Sequence, residues 1–558
     1  MLSINLVEKN VTTTHQFVPL NPLINMNLYA NKRISLKLLL IVLLSLIPLI
    51  PIHSQAQQKS IKKVENPVFV FNNAFNSRGT SYTEIANVLS DLGYNGIEHR
   101  EVEGIFELKE KMNNKGMKIY ADYLKIDLDA EQPYLEEWKE AIPKLAGTDL
   151  VLWTHIHSKK FKPSDTKADK LIVPIVQELA DLAKPYGIKV AIYPHFDLVV
   201  ETAVHSSRLA QKIDRENVGA VFNLVHFLSE PGNPNLEATI KEIAPQLIIA
   251  SISGGDKSDN FKQMPMQKKV RPVGVGTYDV YNTVKLLLDN GYKGPIGFQC
   301  YLIEGEPKDF LKTSIESWKH YVQLYESGVN TISKQEQKEG WQLLFDGVSS
   351  NGWRGITKEN FPQNGWEVMA GELRVNAVNG EESANGGDIV TTEKYGPDFE
   401  MKWEWKMYTV GGNSGVKYFV QEENTHKGSY SSGYGYGLEY QILDDANHPW
   451  MKEGKMTPND YHTIGSLYEF FPAASTKKVM PLGKWNTSRI VSKDNQVEHW
   501  LNGEKILSYE RGGKQFMKML KKSKFKDVEG FGQEKNGHIL LQDHGSKVYY
   551  RNIKIRQL

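Results

Sequence analysis

The stretch VFVFNNAF (Val68–Phe75), followed by SYTEIANVLSDLGYNG (Ser81–Gly96) and GIEHR (Gly96–Arg100), reads as strand, helix, strand. The first run is short and apolar, the composition of a parallel strand buried on both faces. The second opens on Ser81 with Glu84 three residues later, the signature of a capping box, and closes at Gly93. The same unit recurs. Strand-like cores follow at MKIYADYL (117–124), TDLVLWTHIHS (148–158), KVAIYPHF (189–196), VGAVFNLVHF (218–227), LIIASISGG (247–255) and GPIGFQCYLI (294–303), with helical stretches such as DTKADKLIVPIVQELADLAKPYG (165–187) between them. Eight strands alternating with helices over residues 60–328 predict a (β/α)8 TIM barrel. An open doubly wound sheet is the alternative, but no Gly-rich phosphate turn follows the first strand.

Upstream of the barrel, Lys32 and Arg33 precede LKLLLIVLLSLIPLIPI (Leu36–Ile52), a charged region followed by an apolar one, and Ser54-Gln55-Ala56 supplies a small-x-small cleavage pattern. The apolar run is shorter than the ~20 residues of a membrane-spanning helix. Residues 1–56 are therefore expected to be an N-terminal extension and signal peptide cleaved after Ala56, with Met26 an alternative start; an uncleaved signal anchor is the other reading. No cysteine directly follows the apolar run, so a lipid anchor is not expected, and the chain is expected in the periplasm or secreted, with no stable membrane anchor after cleavage. Cys300 is the single cysteine, which excludes an intramolecular disulfide. Lys plus Arg (67) balance Asp plus Glu (66), so no basic field exists to hold nucleic acid.

Downstream, residues 329–338 are polar and suit a linker, and from 339 to 558 the pattern changes to many short alternating strands. Asn502-Gly503, between VEHWL and EKILSYE, signals a tight hairpin, because a type I′ turn needs φ > 0 at both positions. The chain is thus read as multidomain, α/β plus all-β, the second half a β-sandwich or jelly roll.

In a barrel, chemistry sits at the carboxyl ends of the strands. The polar residues there are Glu98, His99, His155, His157, His195, Asn223, His226 and Gln299. This half resembles the sugar phosphate isomerase/epimerase (xylose isomerase-like) barrels over nearly its whole length. That resemblance implies a divalent cation held by a Glu, an Asp, a His and a Glu on strands five to eight. Here the fifth strand ends IYPHF, Asn223 stands for the Asp, only His226 matches, the seventh strand carries Ser251 and Ser253, and Gln299 stands for the final Glu. Neutral amides for carboxylates predict weak binding of a hard cation. A softer site of His155, His195 and His226 is the alternative to solvated loop histidines. The cofactor stays open, with a divalent metal ion as the candidate. Cys300 is expected to be a buried structural thiol.

GWQLLFDG (340–347), NGWRG (351–355), GGNSGVKYF (411–419), GLEYQILDD (437–445), GKWNTSRIV (483–491), VEHWLNGEKI (497–506) and GHILLQDHGSKVYYRNIKI (537–555) closely resemble the 3-keto-disaccharide hydrolase domain family. The resemblance implies a concanavalin/LamG-like jelly roll that cleaves glycosides already oxidised to a ketone at C3. Such a ketone acidifies the C2 hydrogen, so a base can form an enolate and expel the C1 substituent, after which water adds to the enone. This differs from the paired-carboxylate displacement of ordinary glycosidases. Strand alternation places Glu439 and Gln441 on one face. Glu439 is the candidate catalytic carboxylate, with Asp444 and Asp445 at the strand end; His544 in QDHG is the candidate acid or base. Asn413, Gln441, Tyr468, His499 and Gln542 are candidate contacts to sugar hydroxyls.

Trp403, Trp405 and Trp500 alternate with polar residues and are expected in the core; Trp353 and Trp366, next to glycines, are expected as exposed sugar platforms. GGKQ near residue 512 and the lysine-rich KKSKFK (521–526) are expected as solvated loop. The leading expectation is an exported carbohydrate enzyme acting on a carbohydrate substrate, its barrel sugar-binding or auxiliary. The alternative is a non-catalytic carbohydrate-binding sandwich on a sugar isomerase or epimerase barrel. Oligomeric state is left open.

Overall fold

The computed structural model describes residues 63–75, 79–376, 386–422 and 435–558; the expected leader lies outside them. Eight parallel strands close into a barrel in sequence order: β1 (Val68–Val70), β2 (Gly96–Arg100), β3 (Lys118–Asp127), β4 (Val151–His157), β5 (Lys189–Ile192), β6 (Val218–Asn223), β7 (Leu247–Ile252) and β8 (Ile296–Phe298). The first crossover helix, Tyr82–Leu92, forms where its caps direct it. The Glu84 N–H donates to Ser81 Oγ at 3.3 Å, and Gly93 ends the helix at φ 84°. The barrel interior is aromatic: Phe69, Phe71, Tyr123, Trp153 and Tyr193 pack ring on ring, with Trp153 and Tyr193 stacked at 5.1 Å. Gly297 makes room for them, since a β-carbon there would sit 2.6 Å from the Phe69 ring. Cys300 lies in the outer layer, 2% exposed, and burial raises its thiol pKa well above the ordinary value.

The expected linker is an ordered, docked segment. Ser333 and Glu336 form a capping box on a short helix, Lys334–Lys338. The Glu336 carboxylate then accepts from Lys402 and Lys554 of the second half, each at 2.8 Å. Just before it, Asn330 and Asn552 exchange bonds: each side-chain amide oxygen accepts the other's backbone N–H, at 2.6 and 2.7 Å. Polarity here satisfies a junction.

The second half contains β9 (Gln342–Leu343), β10 (Trp353–Gly355), β11 (Trp366–Met369), β12 (Glu372–Val375), β13 (Ile389–Thr391), β14 (Phe399–Met407), β15 (Asn413–Val420), β16 (Leu438–Leu443), β17 (Asn486–Lys493), β18 (Gln496–Leu501), β19 (Glu504–Glu510), β20 (His538–Leu541) and β21 (Val548–Gln557). One antiparallel sheet runs β10-β13-β20-β15-β16 and the other β11-β12-β21-β14-β17-β18-β19, with β9 beside β21. Their facing sides share one core that includes Trp403, Tyr418, Tyr440, Ile490, Val497 and Tyr550. Asn502 (φ 49°) and Gly503 (φ 85°) form the β18–β19 turn. Trp353 and Trp366 are buried rather than exposed: each indole N–H donates to a backbone carbonyl, Leu344 and Gly387 respectively, and both rings join the core. Among the described residues no helix is long and apolar enough to cross a membrane.

Candidate active site

On β15 and β16 the odd-numbered residues share one face and the even-numbered ones the other. Val416, Tyr418, Tyr440 and Ile442 therefore enter the core between the sheets. Asn413, Gly415 and Lys417 face outward beside Glu439 and Gln441, with Lys417 directly across from Glu439 in the register. The next strand, β20, ends at Leu541, and the chain continues through Gln542, which donates its backbone N–H to Gly415, to His544. Segment 465–468 pairs with the open edge of β16, because the Tyr468 N–H donates to the Glu439 carbonyl at 3.1 Å. These elements enclose one cleft lined by Asn413, Lys417, Glu439, Gln441, Tyr468, Gln542, His544, Tyr436, Lys524 and Phe525.

Polar groups in the cleft are held in place. Gln441 Nε2 donates to Asn413 Oδ1 at 3.1 Å, while its Oε1 is buried with no partner among the described residues. The His544 Nδ1 is in the same condition. Lys417 is 5% exposed; its ammonium donates to the Gly435 carbonyl at 3.0 Å and stands 3.7 Å from the Asp388 carboxylate. Asp543, fully buried behind His544, accepts from the backbone N–H groups of Gly386, Gly387 and Gly545, which fixes the tip that carries the histidine. Burial nonetheless lifts the Asp543 carboxyl above its ordinary range.

Six of the nine residues expected for the sandwich site meet in this cleft, and Asp444, Asp445 and His499 do not. Asp444 lies outside the cleft, where its Oδ2 accepts from Gly411 N–H and from Asn447 Nδ2, both at 2.9 Å. Asp445 likewise accepts the Ile464 N–H at 2.8 Å. His499 is completely buried between the sheets, with Nδ1 on the Gly465 carbonyl and Nε2 on the Tyr418 hydroxyl, both at 2.8 Å. It cannot reach a sugar. Lys417 and Lys524 are the cationic residues that sequence reasoning missed. The expected loops around residues 512–526 contain a helix, Lys514–Leu520, and the exposed Lys524 beyond it donates to the Tyr468 hydroxyl at 3.2 Å.

The barrel mouth is a second polar site. Glu98 is buried; it accepts the Asn72 N–H at 2.7 Å through Oε2, and its Oε1 has no hydrogen-bond partner among the described residues. Burial pushes its carboxyl up to about 8. Nε2 of His155, Nδ1 of His226 and the Ser251 hydroxyl are buried and unpartnered in the same sense. The amides at the expected ligand positions are engaged elsewhere. Asn223 caps a short helix through the His226 N–H and donates to the Tyr193 hydroxyl at 2.7 Å. Gln299 accepts from Asn73 at 2.5 Å and from the Cys300 and Tyr301 N–H groups. His195 packs its ring 4.0 Å from that of His226. Among the described residues no three or more His, Cys, Asp or Glu side chains come together as a metal site. The residues present do not fit the divalent cation that the barrel's resemblance implies, and the three-histidine alternative does not assemble either.

Residues 340–556 match the family model of the 3-keto-alpha-glucoside-1,2-lyase-like domain. A 3-keto-disaccharide hydrolase of Bacteroides thetaiotaomicron is 34% identical over 236 residues, covering 39% of this chain and 79% of that protein. The chain belongs to the 3-keto-disaccharide hydrolase family. In this family member the hydrolase-like half follows a barrel that matches the xylose isomerase-like TIM barrel model over residues 86–321. The barrel half is 25% identical to an inosose isomerase of Bacillus licheniformis over 212 residues, 36% of this chain and 72% of that one. A solved structure of a 3-keto-D-glucoside 4-epimerase from E. coli covers 46% of this chain and all of its own at 15% identity and a TM-score of 0.38.

Proposed function

We propose that this chain is an exported enzyme that cleaves the glycosidic bond of 3-keto-glycosides and 3-keto-disaccharides in the sandwich cleft. One observation carries the reading: a carboxylate, an ammonium group and an imidazole, Glu439, Lys417 and His544, line one cleft together with the amides of Asn413, Gln441 and Gln542. Elimination from a 3-keto sugar needs those three functions. Glu439 takes the C2 proton, and the electron pair forms an enolate whose oxygen faces the Lys417 ammonium. As the enolate collapses, the C1–C2 double bond forms, the C1–O bond breaks, and His544 gives its proton to the departing oxygen. Water then adds to the enone: its hydroxyl goes to C1 as its proton passes to His544, and Glu439 returns a proton to C2. Asn413, Gln441 and Gln542 orient the ring hydroxyls.

For the barrel the reading is a sugar-binding or auxiliary role, supported by buried polar atoms of Glu98, His155, His226 and Ser251 at its mouth that make no hydrogen bond among the described residues. Export rests on the leader read in residues 1–56.

The test is turnover of 3-keto-trehalose by the full chain. Glu439→Gln and His544→Ala are each expected to lower kcat by about 100-fold or more while leaving the thermal melt in place. Turnover that survives both, but is lost on Glu98→Gln or His226→Ala, would move the chemistry to the barrel and leave the sandwich a binding module.

A further inference from the structure

β16 supplies Glu439 and Gln441 and then runs directly into the segment that carries Trp450. Five tryptophans of the same domain, Trp341, Trp353, Trp366, Trp403 and Trp405, are buried, and two more lie under guanidinium groups, Trp485 under Arg551 and Trp500 under Arg489. Trp450 is 47% exposed. Covering a large apolar ring that stands open to water is favourable, so an ordered one offers binding free energy to a ligand face laid on it.

The ring is ordered by its neighbours. His448 and His462 meet it edge to face, at 5.6 and 5.7 Å with interplanar angles of 89° and 87°. His448 caps the turn by accepting the Trp450 N–H, and the Trp450 carbonyl accepts from Lys455 and Met456. Asp444 fixes the base of this turn through Gly411, Asn447 and its own carbonyl to the His448 N–H. The shelf is continuous with the cleft. His462 packs at 5.1 Å against Tyr468, which lines the cleft. Beside the shelf stand two carboxylates, Asp460 bonded to His462 at 2.6 Å and Glu469 at 3.7 Å.

We infer that Trp450 is the platform for the leaving-group sugar ring of a 3-keto-disaccharide substrate. The inference rests on the reading of the cleft as the place where the glycosidic bond breaks. An indole face stacks on the apolar face of a pyranose, and Asp460 and Glu469 supply acceptors for hydroxyls, which an aryl leaving group would not use. A platform that touches only the departing ring contributes binding to ground state and transition state alike, so its loss raises KM more than it lowers kcat.

The experiment compares Trp450→Ala with the unmodified chain on three substrates: 3-keto-trehalose, 4-nitrophenyl 3-keto-glucoside and methyl 3-keto-glucoside. The expected result is that kcat/KM for 3-keto-trehalose falls by about tenfold relative to the methyl glycoside, chiefly through KM, and falls less for the nitrophenyl glycoside. A ratio that does not change, or that falls as far for the nitrophenyl glycoside, overturns the assignment. Calorimetry in a Glu439→Gln background separates this from the reading of the cleft. Full turnover by Glu439→Gln sinks the cleft chemistry; an affinity gap between 3-keto-trehalose and the methyl glycoside that persists after Trp450→Ala sinks the platform.

Discussion

Gly415 leaves the space that the Glu439 carboxylate occupies. A β-carbon at residue 415 would meet Oε1 far inside van der Waals distance and stand 2.9 Å from Cδ, yet the glycine has no left-handed backbone of its own to explain it. An alanine would fit the strand and not the cleft. Gly415→Ala is therefore expected to keep the fold, with a melting temperature within a few degrees, and to lower kcat on 3-keto-trehalose by about tenfold or more as the carboxylate turns aside. A kcat within twofold of the parent would detach Glu439 from the chemistry.

Lys417 is the cation nearest in register to Glu439 and is almost wholly buried. If it meets the enolate oxygen, removing its charge with Lys417→Met lowers kcat by about 100-fold, and Lys417→Arg restores part of it with a changed KM, because the planar guanidinium does not take the same position. Steady-state kinetics on both variants decide this; equal loss in the two would point to packing rather than charge.

The elements were legible where their signals are local and periodic: Ser81 and Gly93 cap the barrel helix they bracket, and in the second half Asn502-Gly503 turns where its φ angles allow. The cleft was half legible. Glu439 and Gln441 could be put on one face by alternation, but alternation does not say which face meets the second sheet. In β18 the same rule held a missed warning, since His499 shares its face with Val497 and Leu501, and all three are buried. Lys417 escaped notice because lysine reads as solvated until tertiary structure folds it inward, and Lys524 because an exposed loop lysine does not disclose the cleft it borders. Trp353 and Trp366 sit beside glycines that mark turns, yet their rings point back into the core, which a loop-like neighbourhood does not disclose.

Glu98 carries a pH-dependent cost. Its carboxyl is held at about 8 by burial, opposed by Arg100 and the Asn72 N–H, whereas in the unfolded chain it titrates near 4.5. A raised folded pKa favours the fold while the group is protonated, so this contribution is complete below pH 4.5 and is lost as pH rises to 8. Glu98→Gln keeps the acceptor for Asn72 and cannot ionise. The variant is expected to match the parent in denaturant stability at pH 4.5 and to exceed it progressively toward pH 8, by an amount on the order of a few kcal/mol, then to level off. A constant gap across that range would contradict the burial of the charge.

Glu336 shows the opposite sign at the junction of the two halves. Burial alone would raise its carboxyl, but hydrogen bonds from Lys402, Lys554 and the Ser333 N–H outweigh it and hold the group down at about 2, against an ordinary 4.5. The stabilisation is therefore present above pH 4.5 and lost as pH falls toward 2. Glu336→Gln removes the charge while leaving an acceptor, and is expected to lower stability by about 1–2 kcal/mol at pH 7 once solvent screening is allowed for. The difference should shrink steadily between pH 4.5 and 2, where the parent loses the same interaction by protonation. Denaturant melts at pH 7, 4.5 and 3 check the slope, and a variant gap that stayed constant down to pH 3 would show that the segment 333–339 is held by packing rather than by its carboxylate.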